Sequence, residues 1–177
     1  ALLEAAQALG TFVALRQSEM SPAVVRYLAN VILYIDADIK DLDDELLKSL
    51  SIVEIPDGDD VMEAQGRVKE KNQKTIIVIR MELNSTSAER AVKLTRDGAE
   101  VLHLVADEYG LEKGEHSLFI KERMREIHGR LVEEGLRDEV TLIASGGIAM
   151  AEHVAKIIIC GADALGVDIP LLVAMEC

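Results

Sequence analysis

Thr141-Leu142-Ile143-Ala144-Ser145-Gly146-Gly147-Ile148, a helical pattern from Met150 to Cys160, and then Gly161-Ala162-Asp163-Ala164-Leu165-Gly166-Val167-Asp168 decide how this chain is read. Both quoted stretches are short apolar runs that end on glycine, and one helix-period segment separates them, so they read as consecutive βα units. Glycine lets a backbone approach an anion closely, because it has no Cβ and accepts unusual φ/ψ. The helix that follows brings N–H groups without intrahelical partners, and the positive end of its dipole, to the same place. One Gly-Gly turn is ordinary tight packing. Two glycine turns one helix apart point to a phosphorylated ligand, the use to which a TIM barrel puts the loops after its last two strands.

Working outward, short β-branched runs alternate with helix-period segments, the pattern of βαβ units on a parallel sheet. Strands are expected at 11–15, 31–37, 51–55, 75–81, 101–106, 141–145 and 164–167. Helices are expected at 22–28, 43–50, 61–71, 87–97, 118–135 and 150–159, with a last one from Leu171. Gly98 and Gly161 stand where helices should end, Ser87 is the expected N-cap of its helix, and Asp59 or Asp60 that of another. An opening helix and then seven strands, each followed by a helix, give a TIM (β/α)8-type barrel lacking its first strand, read as one domain over residues 1–177. An open doubly wound sheet is the alternative, but it would carry its glycine-rich site early in the chain. The chain opens within a helix pattern and without an N-cap, and so reads as a fragment of a longer protein. A barrel without its first strand would leave an open edge, which another segment or chain usually covers. An oligomer or a larger chain is therefore expected.

Composition narrows the function classes. With 49% hydrophobic residues among 177 and a mean hydropathy of +0.16, the chain is globular. A net charge of −13 repels nucleic acid and anionic lipid over most of the surface. The absence of Trp, with 3% aromatics, leaves no stock of stacking platforms for single strands. The apolar stretch from Ile157 to Met175 is cut by Asp163, Asp168 and Pro170, so no membrane span is expected. Two cysteines, Cys160 and Cys177, make a poor disulfide framework and suit a cytoplasmic protein.

Gly135-Leu136-Arg137-Asp138 through Ser145-Gly146-Gly147, then Gly161-Ala162-Asp163-Ala164 and Leu171-Leu172-Val173-Ala174-Met175-Glu176-Cys177, resemble the FMN-binding synthase domain of glutamate synthase. The resemblance implies a TIM barrel that binds FMN and acts in oxidoreduction, reduced flavin passing a hydride to the iminoglutarate formed from 2-oxoglutarate and ammonia. It implies glutaminase and iron–sulfur domains or subunits as partners. Ser145, Gly146, Gly147 and Ile148 match the seventh-strand phosphate turn, and Gly166, Val167 and Asp168 the eighth-strand turn, where Asp168 departs from the usual glycine or threonine. Arg80 stands where the family usually has a lysine near the flavin, and Cys177 aligns with the first cluster cysteine. The chain departs from the family in three loops: residues 16–20 and 56–60, and residues 105–110 where the family has a Ser-Gly-His-Asp-Gly-Gly run.

Asp107 and Glu108 fall at the C-terminal end of a strand, the face on which barrel enzymes keep their chemistry, and either can serve as acid or base or simply as a solvated loop carboxylate. His103 reads as a core or barrel-lining histidine; His116, His128 and His153 lack metal-ligand spacing. The acidic run from Asp36 to Glu45 lacks the Gly-then-Glu spacing of a calcium loop and reads as a solvated strand end. Three functions remain open: an FMN oxidoreductase, a non-catalytic relic of the same barrel with a structural or regulatory role, and a phosphate-binding barrel resembling the IMP dehydrogenase group. The last needs a loop cysteine that is not there.

Overall fold

The computed structural model describes residues 1–35, 44–115 and 117–176. Seven strands alternate with helices: α1 Leu2–Leu9, β1 Val13–Arg16, β2 Val31–Tyr34, α2 Asp44–Ser49, β3 Ile52–Pro56, α3 Val61–Lys71, β4 Ile76–Glu82, α4 Ser87–Arg96, β5 Val101–Val105, α5 Ile120–Glu133, β6 Thr141–Ser145, α6 Ala151–Ile159, β7 Ala164–Gly166 and α7 Ile169–Ala174. The strands follow one another in chain order, and the pairs β1–β2, β2–β3, β5–β6 and β6–β7 are parallel. Parallel strands in chain order with helical crossovers are the topology of a TIM barrel one strand short of eight. The chain divides into two compact units, Ala1–Ile79 and Arg80–Cys177, with the division inside β4.

In the first unit Val31, Leu33 and Ile35 alternate with half-buried neighbours and, with Val53, Ile55 and Val68, form the core. Residues 22–28 were expected to be α-helical; the chain instead makes a 3-10 turn at Val25–Asn30, and the loop after β1 is a second 3-10 turn in which Glu19 accepts the Arg16 N–H. Of the acidic run, residues 36–43 lie outside the described residues, as do the end expected for β2 and the expected start of α2.

In the second unit the core holds Leu94 of α4 and Met124, Ile127 and Leu131 of α5 and, from one side of the sheet, Leu102 and Leu104 of β5 and Leu142 and Ala144 of β6, all fully buried. His103, Val105, Ile143 and Ser145 alternate with them and occupy the opposite side, in register across the two strands. Truncating the well-packed Leu104 should open a cavity, so Leu104→Ala should cost about 2–5 kcal/mol, read as a lower urea midpoint with an unchanged slope. The expected cap of α4 is displaced by one residue. Thr86 is the N-cap position and Ser87 is the first helical residue, its hydroxyl taking the Asn84 N–H at 2.9 Å. Asp60 holds the cap position of α3 without a side-chain cap bond.

Arg137 fastens the ends of β6 and β7 opposite their glycine turns. Its guanidinium donates to His128 Nδ1 at 3.1 Å, to the carbonyls of Val140 and Gly161 at 2.7 and 2.9 Å, and to the Asp163 carboxylate at 2.8 Å. Asp163 also accepts the Leu142 N–H at 2.7 Å. Gly161, with φ +115°, has to be glycine for a second reason: a Cβ there would lie 2.6 Å from the His128 ring.

Candidate functional site

Parallel pairing brings the C-terminal ends of β5, β6 and β7 together, which places Ala106, Asp107 and Glu108 beside Ser145 and its turn, and Ser145 beside Gly166. Gly146 and Gly147 both have positive φ, +102° and +65°. A second constraint, not visible in the sequence, comes from the loop after β5. A Cβ on Gly146 would lie 2.6 Å from the Ala106 carbonyl carbon and 2.8 Å from the Asp107 oxygen, and one on Gly147 would lie 2.8 Å from the Tyr109 carbonyl carbon and overlap the Gly110 backbone. The glycines therefore let two loops pack backbone against backbone.

Asp107 builds that neighbouring loop. Its Oδ1 accepts the N–H groups of Tyr109 and Leu111 at 2.9 and 2.8 Å, an Asx turn, while its own N–H donates to the Leu111 carbonyl. Glu108 is exposed. The N–H groups of Gly147 and Ile148 meet no acceptor among the described residues, although Ile148 is 1% exposed. Gly147 is half-buried, and a buried backbone donor such as that of Ile148 is nearly always paired, so the two in sequence at a strand end are a place for an anion or water. On this observation a phosphate fits the β6 turn. The β7 turn is less open. Gly166 packs against the Ser145 side chain, and Asp168 caps α7 with its own carboxylate, accepting the Ile169 N–H at 2.6 Å. Of Asp168, the backbone is what remains to face an anion.

Beneath the two turns, His103 Nε2 and Ser145 Oγ lie 2.7 Å apart, and a Cβ on Gly166 would come within 3.1 Å of the Ser145 Cβ. The sequence marked His103 as lining the barrel but gave no sign of its partner 42 residues away. Arg80 is half-buried on β4, two residues from Glu82, whose carboxyl is held below its usual range by the hydrogen bond and charge of Lys113 and, less strongly, by the charge of Arg80. Cys177 and His116 lie outside the described residues. Among the described residues no three His, Cys, Asp or Glu side chains gather as metal ligands, and no helix is long and apolar enough to cross a membrane.

The fold is that of a (β/α) barrel protein, with a glycine turn after its penultimate strand. Residues 118–177 match the conserved region in glutamate synthase. An archaeal glutamate synthase (NADPH) of Methanocaldococcus jannaschii is 50% identical over 48 residues, 27% of this chain and 9% of that protein. An archaeal-type glutamate synthase (NADPH) of Dehalococcoides mccartyi is 43% identical over 51 residues, 29% of this chain and 10% of that protein. The C-terminal part of the chain is thus a divergent glutamate-synthase-like segment, and the matches span a tenth or less of those two proteins. Among solved structures, a mutant flavocytochrome b2 with pyruvate bound superposes with TM-score 0.66 at 18% identity, over 93% of this chain and 50% of that one. An aldolase, QR15, superposes with TM-score 0.62 at 18% identity, over 99% and 86%. At such identities these two show the barrel fold alone.

Proposed function

We propose that this chain is an FMN-binding part of a glutamate-synthase-type oxidoreductase, which forms glutamate from 2-oxoglutarate with ammonia released from glutamine. The observation that supports it best is the pair of unpaired N–H groups at Gly147 and Ile148, inside the segment that matches the glutamate synthase region. In this reading the backbone of Ser145, Gly146, Gly147 and Ile148 holds the FMN phosphate, with Gly166, Val167 and Asp168 bordering it. Bound flavin supplies hydride transfer. The Arg80 guanidinium offsets negative charge on the flavin ring, and the His103 hydrogen bond fixes the Ser145 rotamer below the phosphate. Of the two loop carboxylates, Glu108 is the one free to move a proton, since Asp107 is engaged with two backbone N–H groups. Cys177 would join an iron–sulfur cluster completed by cysteines from elsewhere. A glutaminase and a cluster-bearing domain or subunit, within a cytoplasmic assembly, complete the proposal. The Asp168 carboxylate in the β7 turn favours a second reading, a barrel kept for assembly after flavin binding was lost.

Titration with FMN and with riboflavin, followed by flavin fluorescence, separates the two. Anchoring through the phosphate predicts that FMN binds about 100-fold tighter than riboflavin, and that Asp168→Asn tightens FMN about threefold by removing a like charge. No FMN binding by folded parent and folded Asp168→Asn alike would sink the flavoenzyme reading and leave the structural one.

A further inference from the structure

A pocket of about 240 Å3 lies between the loop after β5, the first turn of α5, and α6. It contains none of Arg80, His103, Gly166 or Asp168, and meets the flavin cradle only where Gly147 and Ile148 form one wall. At that size, below the roughly 300 Å3 at which pockets for drug-sized ligands begin, it holds a single ring or a short branched chain.

Its walls are unusual for this chain. Tyr109 and Phe119, two of the five aromatic residues in the whole sequence, stand here 73% and 52% exposed, facing Ile120 and Ile157. Apolar surface left in water is a standing cost of about 25 cal/mol per Å2, recovered when a ring covers it. The charged side chains of the lining are cationic lysines. Lys121 and Lys156 belong to it, in a protein of net charge −13. Their partners Glu122 and Glu152 are at 3.6 and 2.8 Å on the surface, in pairs with half or so of each side chain in water. Pairs of that kind are worth about 1 kcal/mol or less, so a ligand carboxylate displaces them at little cost. His153 Nδ1 accepts the Ala149 N–H at 3.3 Å, which leaves the ring proton on Nε2, a donor without an acceptor among the described residues.

We propose that this pocket binds a small organic carboxylate with an aromatic or branched apolar body. The body packs between Tyr109, Phe119 and Ile157, and the carboxylate takes hydrogen bonds from Lys121, Lys156 and His153.

The test uses the full chain and three probes: benzoate, benzyl alcohol, which keeps the ring without the charge, and acetate, which keeps the charge without the ring. Amide shifts in 1H–15N spectra should place benzoate at Gly110, Gly147 and Ile148, with a Kd about tenfold lower than for either control. The double variant Lys121→Ala/Lys156→Ala, both exposed and so expected to fold, should weaken benzoate about fivefold without changing benzyl alcohol. Tyr109→Ser should weaken both ring-bearing probes. Saturating FMN should leave the benzoate Kd within about twofold. Equal binding of benzyl alcohol and benzoate, shifts confined to other amides, an unchanged Kd in the folded double variant, or competitive displacement by FMN would each overturn the proposal.

Discussion

Gly147→Ala should destabilise the protein by about 3–5 kcal/mol, far more than an alanine at a glycine of the same backbone conformation elsewhere in the unit. Two costs combine. At φ +65° an L-residue sits in the left-handed region, which costs about 1–2 kcal/mol. The new Cβ would also lie 2.8 Å from the Tyr109 carbonyl carbon and overlap the Gly110 backbone, so the loop after β5 has to move. That loop cannot give easily. Asp107 holds it with two hydrogen bonds, Gly110 itself has φ +77°, and the Gly110 carbonyl accepts the Ile120 N–H at 2.8 Å. Moving Gly110 therefore disturbs the start of α5 and the core residue Met124 one turn further on.

Gly135→Ala is the control. Gly135 has φ +69°, and a Cβ there meets nothing within 4 Å, so only the conformational cost applies, about 1 kcal/mol. Urea midpoints of the two variants without flavin separate packing from backbone strain. Equal losses would mean that the contact between the β5 and β6 loops carries no weight. A Gly147→Ala loss near 1 kcal/mol would also remove the steric account of why the β6 turn needs glycine.

The same comparison marks what the sequence could and could not disclose. β6 falls at Thr141–Ser145 as expected, because its apolar alternation stops at Gly146, and α3 falls at Val61–Lys71, bounded by Asp60 and Asn72. These signals are local. The start of α5 shifts two residues from the expected Leu118, since Phe119 takes the N-cap position and its N–H donates to Glu122 at 2.9 Å. The 3-10 turn at Val25–Asn30 shows composition alone failing to separate two helical forms. Glycines at 146 and 147 were legible as a strand-to-helix turn that uses the unusual φ/ψ glycine accepts. Their packing against residues nearly 40 positions earlier was not, because nothing in a local window records which loop will lie beside which. The same holds for His103 with Ser145 and for Arg137 with Asp163, pairs made by register between strands and by the approach of distant loops. The roles proposed for Arg80 and Cys177 came from resemblance to a family and that for Glu108 from its place after a strand, and each rests on partners outside any local pattern.

Glu112→Ala should cost about 3–5 kcal/mol, the expected result of stranding a buried charge. Glu112 and Arg123 have side chains only 4% and 5% exposed, and they meet through two hydrogen bonds, Nε to Oε2 at 2.5 Å and Nη2 to Oε1 at 2.9 Å. Glu112 further accepts the Leu118 N–H at 3.2 Å, so the pair ties the loop between β5 and α5 to the helix that follows. Glu126 also pairs with Arg123, but its side chain is half exposed and cannot replace the bidentate contact. The hydrogen bond from Arg123 holds the Glu112 carboxyl below its usual range against the opposing effect of burial, and Arg123 is correspondingly raised. A carboxylate whose folded pKa is depressed stabilises fully above its unfolded value, about 4.3, and that contribution is lost as pH falls through the folded pKa. The parent should therefore lose stability steeply below about pH 4, and Glu112→Gln, which cannot titrate, should be weaker at pH 7 yet flatter over that acid range. Replacing both partners, as Glu112→Leu with Arg123→Met, should recover most of the loss, because no charge is left to desolvate and the site stays filled. Urea midpoints at pH 7 and pH 3 for the parent and the three variants decide the matter. If Glu112→Ala and the double variant are equally destabilised, the cost lies in lost packing and not in an unpaired charge. If Glu112→Gln keeps the parent's acid slope, other carboxylates set it.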